Sequence, residues 1–189
     1  MKFLSSLTIA LALPAFAFAA QNTTKPAAKA PNAAKPSAVA KENGFKAEFF
    51  TNLDDAQEKI LDLASSIPAE KYSWRPAPEV RSISEVFMHI AGGNYFLTSF
   101  VGAEAPKMNG DIEKTITKKD DVIAELKRSF DHLRNAAHAA SDLEKPVKMF
   151  GTQTTYRGVL VTILSHLHEH LGQSVAYARM NGVVPPWSR

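Results

Sequence analysis

Four stretches of this chain repeat apolar residues at the spacing of an α-helix, and that period limits the accessible folds more than any other feature. Phe49, Leu53, Ala56, Ile60, Leu63 and Ile67 recur at alternating intervals of four and three residues. They lay one stripe along a first helix, which Pro68 ends. A second helix opens with Ser82 and Glu85, a capping-box pair, and carries Ile83, Val86, Ile90, Leu97 and Val101 before Gly102. A third opens with Thr117 and Asp120, carries Ile123, Leu126, Phe130, Leu133, Ala137 and Ala140, and stops before Pro146. The fourth follows Thr154-Thr155, carries Leu160, Leu164, Leu167, Leu171 and Ala178, and ends at Asn181-Gly182 with Pro185-Pro186 beyond. No comparably clean two-residue alternation and no internal repeat is present. The predicted class is therefore all-α, a four-helix bundle burying the four stripes against one another. The stretch from Ala103 to Ile116 is long enough to cross the bundle, so the second and third helices need not be adjacent.

The first 42 residues have a different composition. Lys2, the apolar run from Phe3 to Leu13 and the small-x-small triplet Ala17-Phe18-Ala19 read as a signal peptide over residues 1–19. The run is shorter than the roughly 20 apolar residues of a membrane span. The processed chain is thus expected to be periplasmic or secreted, with no integral membrane span. There is no cysteine, hence no lipid attachment site, disulfide or thiol nucleophile. Residues 20–42 are built almost wholly from Ala, Pro, Lys, Asn, Thr and Ser, the composition of a disordered linker. Of the 22 Lys+Arg and 19 Asp+Glu, five lysines and one acid precede residue 43, which leaves the domain at 43–189 with one more acid than base. The sequence pI of about 9.1 is a property of the leader and linker, so no nucleic-acid partner is expected.

The six histidines lie at 89, 132, 138, 166, 168 and 170. At 100° per residue His166 and His170 share one helix face while His168 points elsewhere. Two imidazoles four residues apart can converge on one ion. Val159, Ile163, Gln173 and Tyr177 lie near the same direction, so the pair looks into a cleft at the edge of the apolar stripe. A third ligand must come from another helix, and His89 holds the matching edge position, with Gly93 one turn later leaving open space. His89 alone would read as an ordinary structural histidine; the pair changes that. His132, His138 and His168 are expected at the surface. Residues 166–170 also spell His-x-x-Glu-His, an inverted zincin pattern, but that chemistry needs a further downstream carboxylate and none follows His170. Glu169 then reads as a residue behind the ligands or facing solvent, with a role as proton acceptor also open. Gln173 and Tyr177 are candidates to support a ligand from behind or to touch substrate.

Trp74-Arg75-Pro76, then Ser82-Ile83 and Glu85-Val86-Phe87-Met88-His89-Ile90, resembles the second-helix signature of the DinB/YfiT-like superfamily. His166-Leu167-His168-Glu169-His170-Leu171-Gly172-Gln173, with Arg179-Met180-Asn181-Gly182 and Pro185-Pro186, is similar to that family's closing helix. The resemblance spans about residues 45 to 188. It implies a four-helix bundle, often a homodimer, with a divalent ion (zinc, nickel or iron) on His89, His166 and His170. It further implies a small-molecule substrate, with S-transfer or isomerisation using a low-molecular-weight thiol in members of assigned chemistry. Export sets this chain apart from thiol-using relatives inside cells. Two functions are expected from the residues: a metal-dependent transferase or hydrolase, or a non-catalytic extracytoplasmic metal-binding module. A cleft beside the ion separates them.

Sequencing the N-terminus of the exported protein should find a chain beginning at Ala20. A product retaining Met1 in the membrane fraction would show an uncleaved anchor instead.

Overall fold

The stripe from Phe49 to Ile67 forms helix α1 (Phe45–Ser66) in the computed structural model of the protein, which describes residues 44–188. The expected signal peptide at 1–19 and linker at 20–42 lie outside the described residues. Leu53, Ala56, Ile60 and Leu63 are wholly buried. Ile67 turns extended at ψ 128° because the ring of Pro68 excludes the helical region for the residue before it. Helix α2 (Ile83–Ser99) opens on the expected capping box: Ser82 Oγ accepts from the Glu85 N–H at 3.3 Å, and Glu85 Oε2 accepts from the Ser82 N–H at 2.7 Å.

The connection after α2 contains an element with no sequence signal, the single-turn helix α3 (Ile112–Thr115), opened by Asp111 accepting from the Glu113 N–H at 3.0 Å. Helix α4 (Lys119–Ala139) follows. Its expected start at Thr117 with Asp120 is not formed; Lys118 occupies the cap position and makes no side-chain cap hydrogen bond. Asp120 and Asp121 instead place two negative charges in the first turn, where the helix dipole favours them.

A second element likewise carries no periodic signal in the sequence. Strands β1 (Pro146–Met149) and β2 (Thr152–Thr155) pair antiparallel, Pro146 opposite Thr155 and Met149 opposite Thr152. Four residues per strand are too few for an alternation to stand out. The turn between them, Phe150-Gly151, has φ of 50° and 84°. Helix α5 (Tyr156–Met180) begins where Thr155 accepts from the Gly158 N–H at 3.3 Å.

Helices α1, α2, α4 and α5 form the bundle. Each of α1 and α2 packs on both α4 and α5, which puts α1 and α2 at opposite corners. So α2 and α4 are neighbours, and a buried polar seam sets their register: Asn94 Nδ2 donates to Ser129 Oγ at 3.1 Å, and the Tyr95 hydroxyl to Glu125 Oε1 at 2.8 Å. Phe49, Phe87, Phe130, Leu126 and Leu167 fill the space between helices, each contributing about 1.5–3 kcal/mol through burial. No helix in the described residues is long and apolar enough to cross a membrane.

Glu85 ties the start of α2 to its surroundings. Lys114 Nζ donates to Oε1 at 2.9 Å, and Arg75 Nη2 lies 3.0 Å from Oε2 while its Nη1 donates to the Val80 carbonyl at 2.8 Å. Burial raises the Glu85 carboxyl, but the bonds from Lys114, the Ser82 backbone and Arg75 together outweigh it and hold the group at about 2. This carboxylate therefore stabilises the fold above its ordinary value of 4.5 and loses that contribution as pH falls from 4.5 to about 2. Glu85→Gln should lower stability at pH 7 by about 1–3 kcal/mol, allowing for the partly exposed Lys114 and Arg75 ends, and flatten the acid dependence over that interval. Urea unfolding at stepped pH checks both.

Candidate metal centre

Three histidines converge where α2 faces α5. His166 and His170, one turn apart on α5, have ring centroids 4.5 Å apart; His89 on α2 lies 5.2 Å from the first and 4.6 Å from the second. One nitrogen from each falls within 4.8 Å of the others. His170 is buried, while His89 and His166 are half-buried.

Two of the rings are oriented from behind. A carboxylate only accepts, so the 2.8 Å contact from His89 Nδ1 to Glu113 Oε1 places a proton on Nδ1 and leaves Nε2 for a ligand. Arg81 holds the same carboxylate, Nε donating to Oε2 at 2.7 Å and Nη2 to Oε1 at 3.3 Å. Burial raises the Glu113 carboxyl, and the bonds from Arg81 and His89 pull it below its ordinary value. On α5, His170 Nδ1 donates to Gln173 Oε1 at 2.9 Å. Gln173 Nε2 in turn donates to the Tyr177 hydroxyl at 3.1 Å, which fixes the amide orientation. The buried Tyr177 ring meets Trp74 edge-on at 5.5 Å.

His166 is placed by an absence of side chain. A Cβ on Gly93 would stand 2.2 Å from His166 Cε1 and 2.9 Å from each ring nitrogen. The space predicted beside His89 is thus filled by the imidazole from the facing helix. His166 Nδ1 is buried and has no hydrogen-bond partner among the described residues. Burial first, then the neighbouring His170 and His89, push the His166 ring down to about 4; burial likewise lowers His170, despite the Gln173 bond. Both rings are therefore neutral at pH 7, the form in which imidazole ligates metal. Three imidazole donors, two of them held from behind and the third with a buried nitrogen left unsatisfied, fit a divalent transition ion.

The remaining candidates lie elsewhere. Glu169 is exposed, one residue and 100° of helix before His170, and makes no hydrogen bond to the cluster; it reaches His170 only through its charge. His168 is exposed, its Nδ1 donating to the Leu164 carbonyl at 2.8 Å. His138 is exposed and stacks on Phe50 at 4.1 Å. His132 departs from its expected surface position: it is half-buried against Tyr95 and bonded through Nε2 to Thr98 Oγ1 at 3.0 Å, drawn inward by the polar seam between α2 and α4. Glu113 and Arg81 were not foreseen. Their only local trace is Asp111, two residues before Glu113, in the cap of α3.

Beside the cluster opens a cavity of about 610 Å³, lined by His89, His166 and Glu113 at one end and by Met88, Leu97 and Ile112 along its walls.

Fold and site together define a four-helix bundle with a three-histidine cluster at the edge of its core and a cleft beside it. The chain matches the family model of the DinB superfamily over residues 52–174, more than half its length, and belongs to that superfamily. A solved DinB-like protein from Bacillus cereus ATCC 10987 is similar in fold, with a TM-score of 0.64 at 18% identity, over 73% of this chain and 93% of that one. A DinB-like protein from Bacillus subtilis is similar at a TM-score of 0.60 and 17% identity, over 75% of this chain and 98% of that one. No curated protein matches the chain.

Gly93→Ala should leave thermal stability within about 1 kcal/mol of wild type, because alanine favours the helix and the His166 ring can swing aside. The cluster should open, and metal content of the purified protein should fall at least about tenfold, the scale on which disturbed ligand orientation acts. Melting curves and elemental analysis on the same sample separate the two effects.

Proposed function

We propose that the protein is a metal-dependent enzyme that holds one divalent ion on His89, His166 and His170 and acts on a small substrate admitted through the adjoining cavity. The cavity carries this reading. A storage or sensing site has no need of a cleft beside its ion, whereas catalysis requires an approach to it, and this one opens onto His89 and His166. The chemistry an ion on His89, His166 and His170 would supply is Lewis-acid, polarising a substrate oxygen and making a water or thiol more acidic.

The residues of the chain do the rest. Glu113 keeps the proton of His89 on Nδ1, and Arg81 keeps Glu113 ionised so that it stays an acceptor. Gln173, aimed by Tyr177, does the same for His170. The apolar walls of the cavity receive the body of the substrate. Zinc, nickel and iron all suit the imidazole set. The reaction class is hydrolysis or thiol-dependent S-transfer, and export of the chain favours water over a low-molecular-weight thiol as the co-reactant.

Elemental analysis of six single His→Ala variants tests the ligand set. Variants at 89, 166 and 170 should lose the ion, with affinity down by orders of magnitude and helicity retained, while those at 132, 138 and 168 keep it. Gln173→Ala should cost about 10–100-fold in affinity or activity. Full metal loading in His166→Ala would defeat the reading. Stoichiometric metal with no turnover of any electrophile or ester offered would favour the binding module.

A further inference from the structure

The cavity beside the histidines has walls of one chemical kind. Among the described residues Met88, Leu97, Pro106 and Ile112 line it, no Lys or Arg does, and its two acids are Asp111 and Glu113. Glu113 is already committed to Arg81 and His89. Away from the histidines, an anionic group on the substrate body would meet carboxylate and no lysine or arginine among the described residues, whereas an uncharged apolar body would release water from both surfaces. The volume of about 610 Å³ suits a small organic molecule rather than a peptide or polymer segment.

The mouth is aromatic. Phe96 from α2 and Phe150 from the β1–β2 turn both line the cavity, yet they are 53% and 66% exposed. With Phe100 they form a triangle, centroids 5.4 Å, 6.0 Å and 5.6 Å apart. Phe150 is out of place by every local rule. Its φ of 50° is at the first central position of a two-residue hairpin turn, where Asn, Asp and Gly adopt left-handed backbone with least strain. Little burial offsets that strain, since most of the ring faces water. A residue both strained and exposed does not serve the fold, and strain retained beside a candidate active site points to a role there.

We infer that the substrate is a small molecule whose body is uncharged and mainly apolar and bears an aromatic or similarly flat group. Phe150 and Phe96 grip that group at the mouth, and the reacting end reaches the edge of His89 and His166. The inference rests on the enzymatic reading of the same site, and it makes the hairpin turn a specificity-determining element. Offset or edge-to-face contact with two rings selects flat apolar groups over extended polar ones.

The neutral fluorophore N-phenyl-1-naphthylamine, titrated into the full metal-loaded chain, tests this directly. Wild type should bind one equivalent with blue-shifted, saturable emission. Phe150→Asn installs the preferred Asn-Gly turn, so its melting temperature should equal or exceed that of wild type, its metal content should be unchanged, and its affinity for the probe should fall about tenfold. Phe96→Gln should weaken binding similarly. Absent saturable binding, binding indifferent to both substitutions, or a lowered melting temperature in Phe150→Asn with binding intact would each overturn the inference. A wild-type chain that binds the probe as described but holds no metal would strike the metal-dependent reading and leave the apolar cavity standing.

Discussion

Everything at the site depends on α2 and α5 meeting at Gly93 with no side chain from α2 between them. Packed helices ordinarily stand 8–10 Å apart because side chains fill the gap. Here the imidazole of His166 takes the volume that a Cβ would need, to within 2.2 Å. That contact puts His166 level with His89, which lies one turn earlier on α2, and brings His170 within reach of both. A glycine in a helix interior is less favourable than alanine by about 1 kcal/mol, and α2 carries two in succession, Gly92 and Gly93. The capping box at Ser82 and Glu85 and the almost continuous burial of Ile83 to Met88 offset that weakness within the same helix.

The single turn α3 links the stability of α2 to the orientation of its histidine. Two consecutive residues do this: Lys114 closes the charge on Glu85 at the start of α2, and Glu113 holds His89. Arg81, the residue before the N-cap, completes the second contact. The helix cap and the candidate ligand therefore share one brace. The Trp74-Arg75-Pro76 segment adds to it, because Arg75 reaches Glu85 while Trp74 packs on Tyr177, whose hydroxyl holds Gln173 behind His170. Sequence segments that resemble family signatures are thus, in this chain, the supports of the histidine cluster.

The connections between helices supply what the helices cannot. The side chains of the bundle core are buried against one another, and such interiors leave little room for a substrate. The cavity forms where the chain from Ala105 to Glu113 crosses the face of α2 and where the β1–β2 turn leans over the same face. The helices fix the histidines, and the loops shape what reaches them, the usual division between rigid scaffold and variable loop.

The four helices, the capping box at Ser82 and the pairing of His166 with His170 follow from the order of residues alone. Each is a local fact: apolar residues at helical period must share a face, Ser and Glu three apart satisfy a helix start, and positions four apart stand one turn above one another. His89 was legible as the third candidate only by matching the edge of one stripe to the edge of another. The rest was decided in three dimensions. Elements of four residues, α3 and both strands, are shorter than any period that could reveal them. Glu113 lies 24 residues from His89 with nothing between them to mark the pairing. His132 was drawn inward by Thr98 and Tyr95, and Glu169 was turned outward by a single residue of helix rotation. The open space at Gly93 could be read, but not its occupant, because which ring fills a gap depends on how two helices cross. Period and spacing describe one element at a time, and contact between elements exists only once the chain has packed.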